Sequence, residues 1–141
     1  MKKYIYSMSK SRRDIGADLE QGCDELILHL IKLRMYPQAQ ECSHWRKEVA
    51  EKLHRVDSFK GTRRLPNVSF IMQNTFNVHE HRISKYIHIA EVDYDYDAIT
   101  FDKDILVDDI RDYFKWIATE LQDDGRLAYT DIISYLETNG F

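Results

Sequence analysis

Two prolines and five glycines in 141 residues leave this chain little punctuation. Folds built from many short strands need frequent turn residues, so the scarcity favours long helices instead. The two cysteines, Cys23 and Cys42, stand 19 positions apart with no CxxC spacing. That excludes a disulfide framework and a zinc ribbon, and leaves two small buried hydrophobes in a reducing compartment. No window approaches about 18 consecutive apolar residues, so no helix is expected to cross a membrane. Residues 1–7 bring positive charge but no apolar run behind it; an export signal is not expected, and the cytoplasm is the expected location. No serine is flanked by glycines and no glycine-rich loop precedes a helix, which excludes a nucleophile elbow and a phosphate cradle. With no residue set apart for catalysis, the expectation is a protein that is not an enzyme and holds no cofactor or metal.

The chain is rich in apolar and aromatic residues, with 43% hydrophobic side chains, nine tyrosines and six phenylalanines. So much apolar surface offsets the entropy of ordering a core, which excludes a mostly disordered chain. Charge is divided along the length. Residues 1–65 carry 14 Lys/Arg against 9 Asp/Glu, whereas residues 66–141 carry 6 against 15. A basic front and an acidic back suit a polyanion on one face, a basic partner on the other, or head-to-tail pairing of two copies.

Apolar spacing gives a mainly α fold, a single helical bundle-like domain over residues 1–141 with five to six helices. Ile15, Leu19, Gly22 or Cys23, Leu26 or Ile27, Leu30 and Leu33 recur at helical spacing from a cap at Ser9 or Ser11 to about Tyr36. Pro37 stops that helix, because the residue before a proline is pushed out of the α region. Ser43 is placed to cap a second helix with Trp45, Val49, Leu53 and Val56 on its apolar side. Glu48–Lys52 and Glu51–Arg55 fall at the favourable i, i+4 spacing on the outside of that helix. Residues 57–66 read as an exposed loop, followed by a short segment with Phe70, Ile71 and Phe76. A further helix from Asn77 carries Ile83, Tyr86 or Ile87, and Ala90. The clearest helix, capped by Asp102 or Asp104, has Leu106, Ile110, Tyr113 or Phe114, Ile117 and Leu121 in step. Thr130 caps a last helix with Ile133 and Leu136, ended by Asn139-Gly140. Alternation at residues 3–7 and around Ile99 and Phe101 suggests a two-stranded β patch pairing 3–7 with 98–102. The stripes put Leu26, Leu30, Trp45, Leu53, Ile110, Phe114 and Ile117 in the core.

Two metal-like patterns are incomplete. Asp93, Asp95, Asp97 and Asp104 have calcium-loop spacing, but Ala98 stands where the loop requires glycine. Glu120 to Asp131 has the glycine, Gly125, but Gln122 at a ligand position. His81 and His88, one face of a helix apart with Glu91 following, are about 10 Å apart along the axis, too far for one ion. The basic residues carry more. Lys2, Lys3, Arg12 and Arg13 cluster at the start; Lys60, Arg63 and Arg64 share a loop; Arg46 stands beside Trp45. Converging, these would give phosphates their footprint with an aromatic ring for a base.

The run His29-Leu30-Ile31-Lys32, then Pro37, then Trp45-Arg46-Lys47-Glu48-Val49, within residues 29–56, resembles a segment of an all-helical bacterial domain-of-unknown-function family. In that family a similar helix end, a proline and a Trp-Arg pair opening the next helix recur. The spacing here is one residue longer, and Gln38-Ala39-Gln40-Glu41 lacks the family's basic linker residues. The resemblance implies a helical fold and no particular activity. The functional expectation is a binding or adaptor protein acting on a protein partner, with homo-oligomers as one form of that partnership. The alternative is a nucleic-acid-binding accessory protein that uses Lys2, Lys3, Arg12, Arg13, Arg46, Lys60, Arg63 and Arg64.

Overall fold

Why the first helix lies at the centre follows from its sequence: between Cys23 and Tyr36 almost every turn offers apolar residues on more than one side. The computed structural model describes residues 12–57, 77, 80–94, 97–122 and 128–141. Helix α1 spans Arg12–Met35 and α2 spans Cys42–Asp57. A 3-10 turn at Glu80–Arg82 leads into α3, Ile83–Asp93; α4 covers Lys103–Gln122 and α5 Tyr129–Thr138. These five helices form a mainly α, bundle-like domain. Helix α1 packs against α2, α3 and α4, and α2 packs against α5. A helix flanked on three sides must be apolar on most of its circumference. Cys23, Leu26, Ile27, Leu30, Ile31, Leu33 and Met35 are accordingly all buried, a wider band than the single stripe read from the sequence.

The expected core is present where it is described. Leu26, Leu30, Trp45, Ile110, Phe114 and Ile117 are buried. Leu53 lies on α2, but its side chain falls outside the described set. Helix α1 ends at Met35, one residue before the position expected from Pro37. Asp102 is the cap of α4, since its Oδ1 accepts from the main-chain N–H groups of Asp104 (2.8 Å) and Ile105 (3.1 Å).

Several local expectations are corrected. Helix α2 opens at Cys42, because Trp45 N–H already donates to the Glu41 carbonyl (2.9 Å); Ser43 is an exposed residue of its first turn. Helix α5 is capped by Ala128 without a side-chain bond, and Ile132 with Leu136 form its buried pair, leaving Ile133 half-buried. The β patch is not formed over 98–102: among the described residues there is no strand. Ile99 N–H donates instead to the Met35 carbonyl (3.0 Å). A carbonyl at a helix C-terminus lacks an intrahelical partner and captures the passing chain. Its proposed partner, 3–7, lies outside the described residues.

The turn after α5 is exposed but delivers a buried residue, Phe141. Phe141 N–H reaches back to the Leu136 carbonyl (2.8 Å) across Gly140, whose φ of +82° is the left-handed geometry of a helix stop. A Cβ at Gly140 would also sit 3.4 Å from the Arg34 guanidinium. Phe141 is buried, with Arg34 4.6 Å over its ring. Arg34 further donates to Asp109 Oδ2 (2.7 Å) and, at 3.2 Å, to the Gly140 carbonyl. One side chain on α1 thus fastens α4 and the end of α5.

Candidate functional site

Where α1 gives way to α2 the chain makes an elbow. The Tyr36 carbonyl accepts from Ala39 N–H (3.1 Å) and from the Cys42 thiol (3.0 Å), so the turn around Pro37 is held from inside. Burial pushes the Cys42 thiol above the ordinary cysteine range, which keeps it protonated and a poor nucleophile. Both cysteines are buried and free.

Tyr94, just past α3, closes the elbow from the other side. Its ring lies 4.7 Å from Tyr36 and meets Trp45 edge-on at 5.2 Å. Its hydroxyl donates to Glu41 Oε2 (2.6 Å), and that bond holds the Glu41 carboxyl below the usual carboxylate range. Lys32 stands 6.0 Å from the Trp45 ring centroid and 3.3 Å from Asp93. Asp93, the first ligand of the calcium-like pattern, is therefore paired with a cation of α1, and Asp95 lies outside the described residues. Among the described residues no three His, Cys, Asp or Glu side chains are grouped to hold a metal ion.

Between the elbow and the segment pinned by Ile99 lies a groove of about 540 Å³. Met35, Tyr36, Pro37, Ala39 and Ile99 give it an apolar floor; Gln38, Gln40, Glu41, Tyr94 and Asp97 supply its polar groups. No lysine or arginine is among these lining residues. Apolar walls with a few convergent polar groups are the usual composition of a binding cleft.

The α1–α2 seam beside the elbow is polar and antiparallel in register. Glu25 pairs with Lys52, His29 with Glu48, and Lys32 lies over Trp45. Glu48 and Lys52, expected to pair along α2, reach across to α1 instead, Glu48 to His29 and Lys52 to Glu25. Glu48 is bracketed by two histidines: His29 Nε2 is 2.7 Å from Oε2 and His44 Nε2 2.8 Å from Oε1. His29 Nδ1 donates to the Glu25 carbonyl (2.7 Å).

Burial is the largest influence on His29 and pushes it below the ordinary histidine value; Glu48 pulls the other way, and Lys32 and His44 reinforce burial. A histidine whose folded pKa lies below its unfolded value stabilises the fold above that unfolded value, and the contribution is lost as pH falls through the folded one. Urea unfolding of the wild type at pH 7.5 and at pH 5.5 should therefore show a larger drop than the same pair of measurements on His29→Gln. Equal drops in the two proteins would mean that His29 does not sense the interior.

Of the eight basic residues singled out in the sequence, Arg46 is the one whose side chain is described. Lys2, Lys3, Lys60, Arg63 and Arg64 lie outside the described residues, and Arg12 and Arg13 open α1 with side chains outside the described set. Arg46 is half-buried, and its Nε donates to the Phe141 carbonyl (2.9 Å). The charge halves meet through Lys32–Asp93 and Arg34–Asp109, pairs whose cations are sheltered and whose carboxylates reach solvent. Sequence reasoning missed the groove. Its one signal was the set of aromatic residues, Tyr36 and Trp45 flanking Pro37, that needed a partner such as Tyr94. Among the described residues no helix is long and apolar enough to cross a membrane. Comparison of the chain with protein-family models, curated proteins and solved structures finds no match.

Proposed function

We propose that the protein is a non-enzymatic binding module that seats a segment of a partner protein in the elbow groove, and that it prefers a lysine or arginine next to a bulky apolar anchor. The observation that supports this most directly is the pairing of exposed apolar groups, Pro37 and Ile99, with the carboxylates Glu41 and Asp97, with no basic side chain among the described lining residues. An apolar anchor would gain burial against those groups, while a cation beside it would meet carboxylates that the groove itself does not neutralise. Ile99 is exposed, so it is available to such a ligand and contributes little to folding in its absence.

Selection of a phage-displayed random 12-residue peptide library tests this. Peptides enriched on the wild type should carry Lys or Arg beside Leu, Ile, Phe or Trp. They should bind the Asp97→Asn, Ile99→Ser double variant about tenfold or more weakly, the equivalent of about 1.4 kcal/mol. Peptides that bind both proteins equally would place the interaction elsewhere. No enrichment, together with retention of labelled DNA or RNA at low salt, would replace the reading with the nucleic-acid one.

A further inference from the structure

Helices α4 and α5 meet through aromatic rings. Trp116 and Tyr135 stack with centroids 4.3 Å apart and planes 14° from parallel, and the fully buried Tyr113 ring lies 5.6 Å from Tyr135. Trp116 and Tyr135 are only half-buried. They open into a pocket of about 380 Å³ whose other lining residues include Glu120, Asp131, Ser134 and Thr138. Among the described residues, no lysine or arginine lines the pocket and neither Glu120 nor Asp131 has a cationic partner.

Two electron-rich rings beside two carboxylates have the complementary chemistry of an organic cation. The negative face of an indole or phenol ring attracts a cation within about 6 Å, and the attraction grows when water is excluded. Carboxylates at the rim add a long-range pull on the same charge. The field around the stack is further negative: Tyr135 is held above the ordinary tyrosine range by burial first, then by Asp112 and Asp109. The described lining residues offer an anion no cationic side chain, and the polar rim is too acidic to suit a purely apolar ligand.

We infer that the Trp116–Tyr135 pocket is a binding site for an organic ammonium group, separate from the elbow groove. The ammonium can come from a free quaternary amine or from a lysine side chain, and the test distinguishes the two. Choline is compared with its neutral isostere 3,3-dimethyl-1-butanol, and N-acetyl-lysine N-methylamide with the norleucine analogue. Binding is followed on the indole N–H resonance of Trp116, with that of Trp45 as an internal reference because Trp45 is buried away from this pocket against Tyr94.

One of the cationic probes should shift Trp116 and leave Trp45 in place, and bind about tenfold more tightly than its isostere. The probe that does so identifies the source of the ammonium. The preference should disappear in the Glu120→Gln, Asp131→Asn double variant, whose substitutions are at the pocket rim and not at the elbow groove. Arg126 is the one cation in the sequence between those two acids, so the titration is repeated on Arg126→Gln. Equal binding of cation and isostere in both backgrounds, or no Trp116 shift at 10 mM probe (about the weakest affinity worth a site), overturns the inference. Because the readout is local to Trp116, its failure leaves the groove untouched, and the peptide selection fails or succeeds independently.

Discussion

Phe114→Ala should cost about 3–5 kcal/mol of folding stability, a large share of the total for a domain of this size. Phe114 is 1% exposed on the inner face of α4 and meets Tyr113 edge-on, with centroids 5.8 Å apart. Its neighbours belong to a core anchored on the central α1, which can collapse only partly into the space left behind, so the cavity adds to the lost transfer energy. Phe114→Leu keeps most of the volume and should cost less than about 1.5 kcal/mol. Urea unfolding followed by circular dichroism measures both. Equal midpoints for the alanine and leucine variants would mean that the site fills itself.

Removing Arg34 should have the second largest effect, about 2–3 kcal/mol for Arg34→Ala. The side chain is 15% exposed and its partner Asp109 34%, so the pair is sheltered without being sealed from water. Deleting one member of such a pair leaves the other with its desolvation uncompensated, while complete burial would cost more. The variant also loses the cation from the Phe141 ring and a donor to the Gly140 carbonyl. Arg34→Lys should recover less than half, because a single ammonium cannot span Asp109 and the α5 terminus at once. A double-mutant cycle with Asp109→Asn isolates the ion pair, with an expected coupling of about 1–2 kcal/mol. No coupling would assign the whole loss to packing on Phe141.

The parts of this architecture that were legible in the sequence are the parts governed by local rules. Leu106, Ile110, Phe114 and Ile117 repeat at helical spacing, and Asp102 precedes them as a capping residue should, so α4 could be placed almost residue by residue. Helix α5 shows the limit of that reasoning. Ile132 and Ile133 are adjacent and equally apolar, and only packing decides which one turns inward. The segment 98–102 alternates like a strand, yet its main-chain bond goes to a helix end 64 positions earlier in the chain, at Met35. Periodicity carries no information about such a partner. The groove was hidden for the same reason: Tyr36, Glu41, Tyr94 and Ile99 converge only after three helices have packed. Arg46, read from the sequence as one of a basic set, is half-buried with its Nε on the Phe141 carbonyl, a partner 95 positions away that spacing does not reveal.

The reach of the Arg34 and Arg46 clamp has a consequence for the order in which the molecule assembles. The bond from Cys42 to Tyr36 closes over six positions, whereas those from Arg34 to Gly140 and from Arg46 to Phe141 close over 106 and 95. Short loops lose less chain entropy on closure, so the α1–elbow–α2 hairpin is the natural nucleus and the clamp a late event. Contacts absent from the transition state change how fast the native state opens and barely alter how fast it forms. The stability lost on substituting Arg34 therefore belongs to the unfolding limb of the kinetics, and the clamp acts as a latch that sets the lifetime of the folded protein.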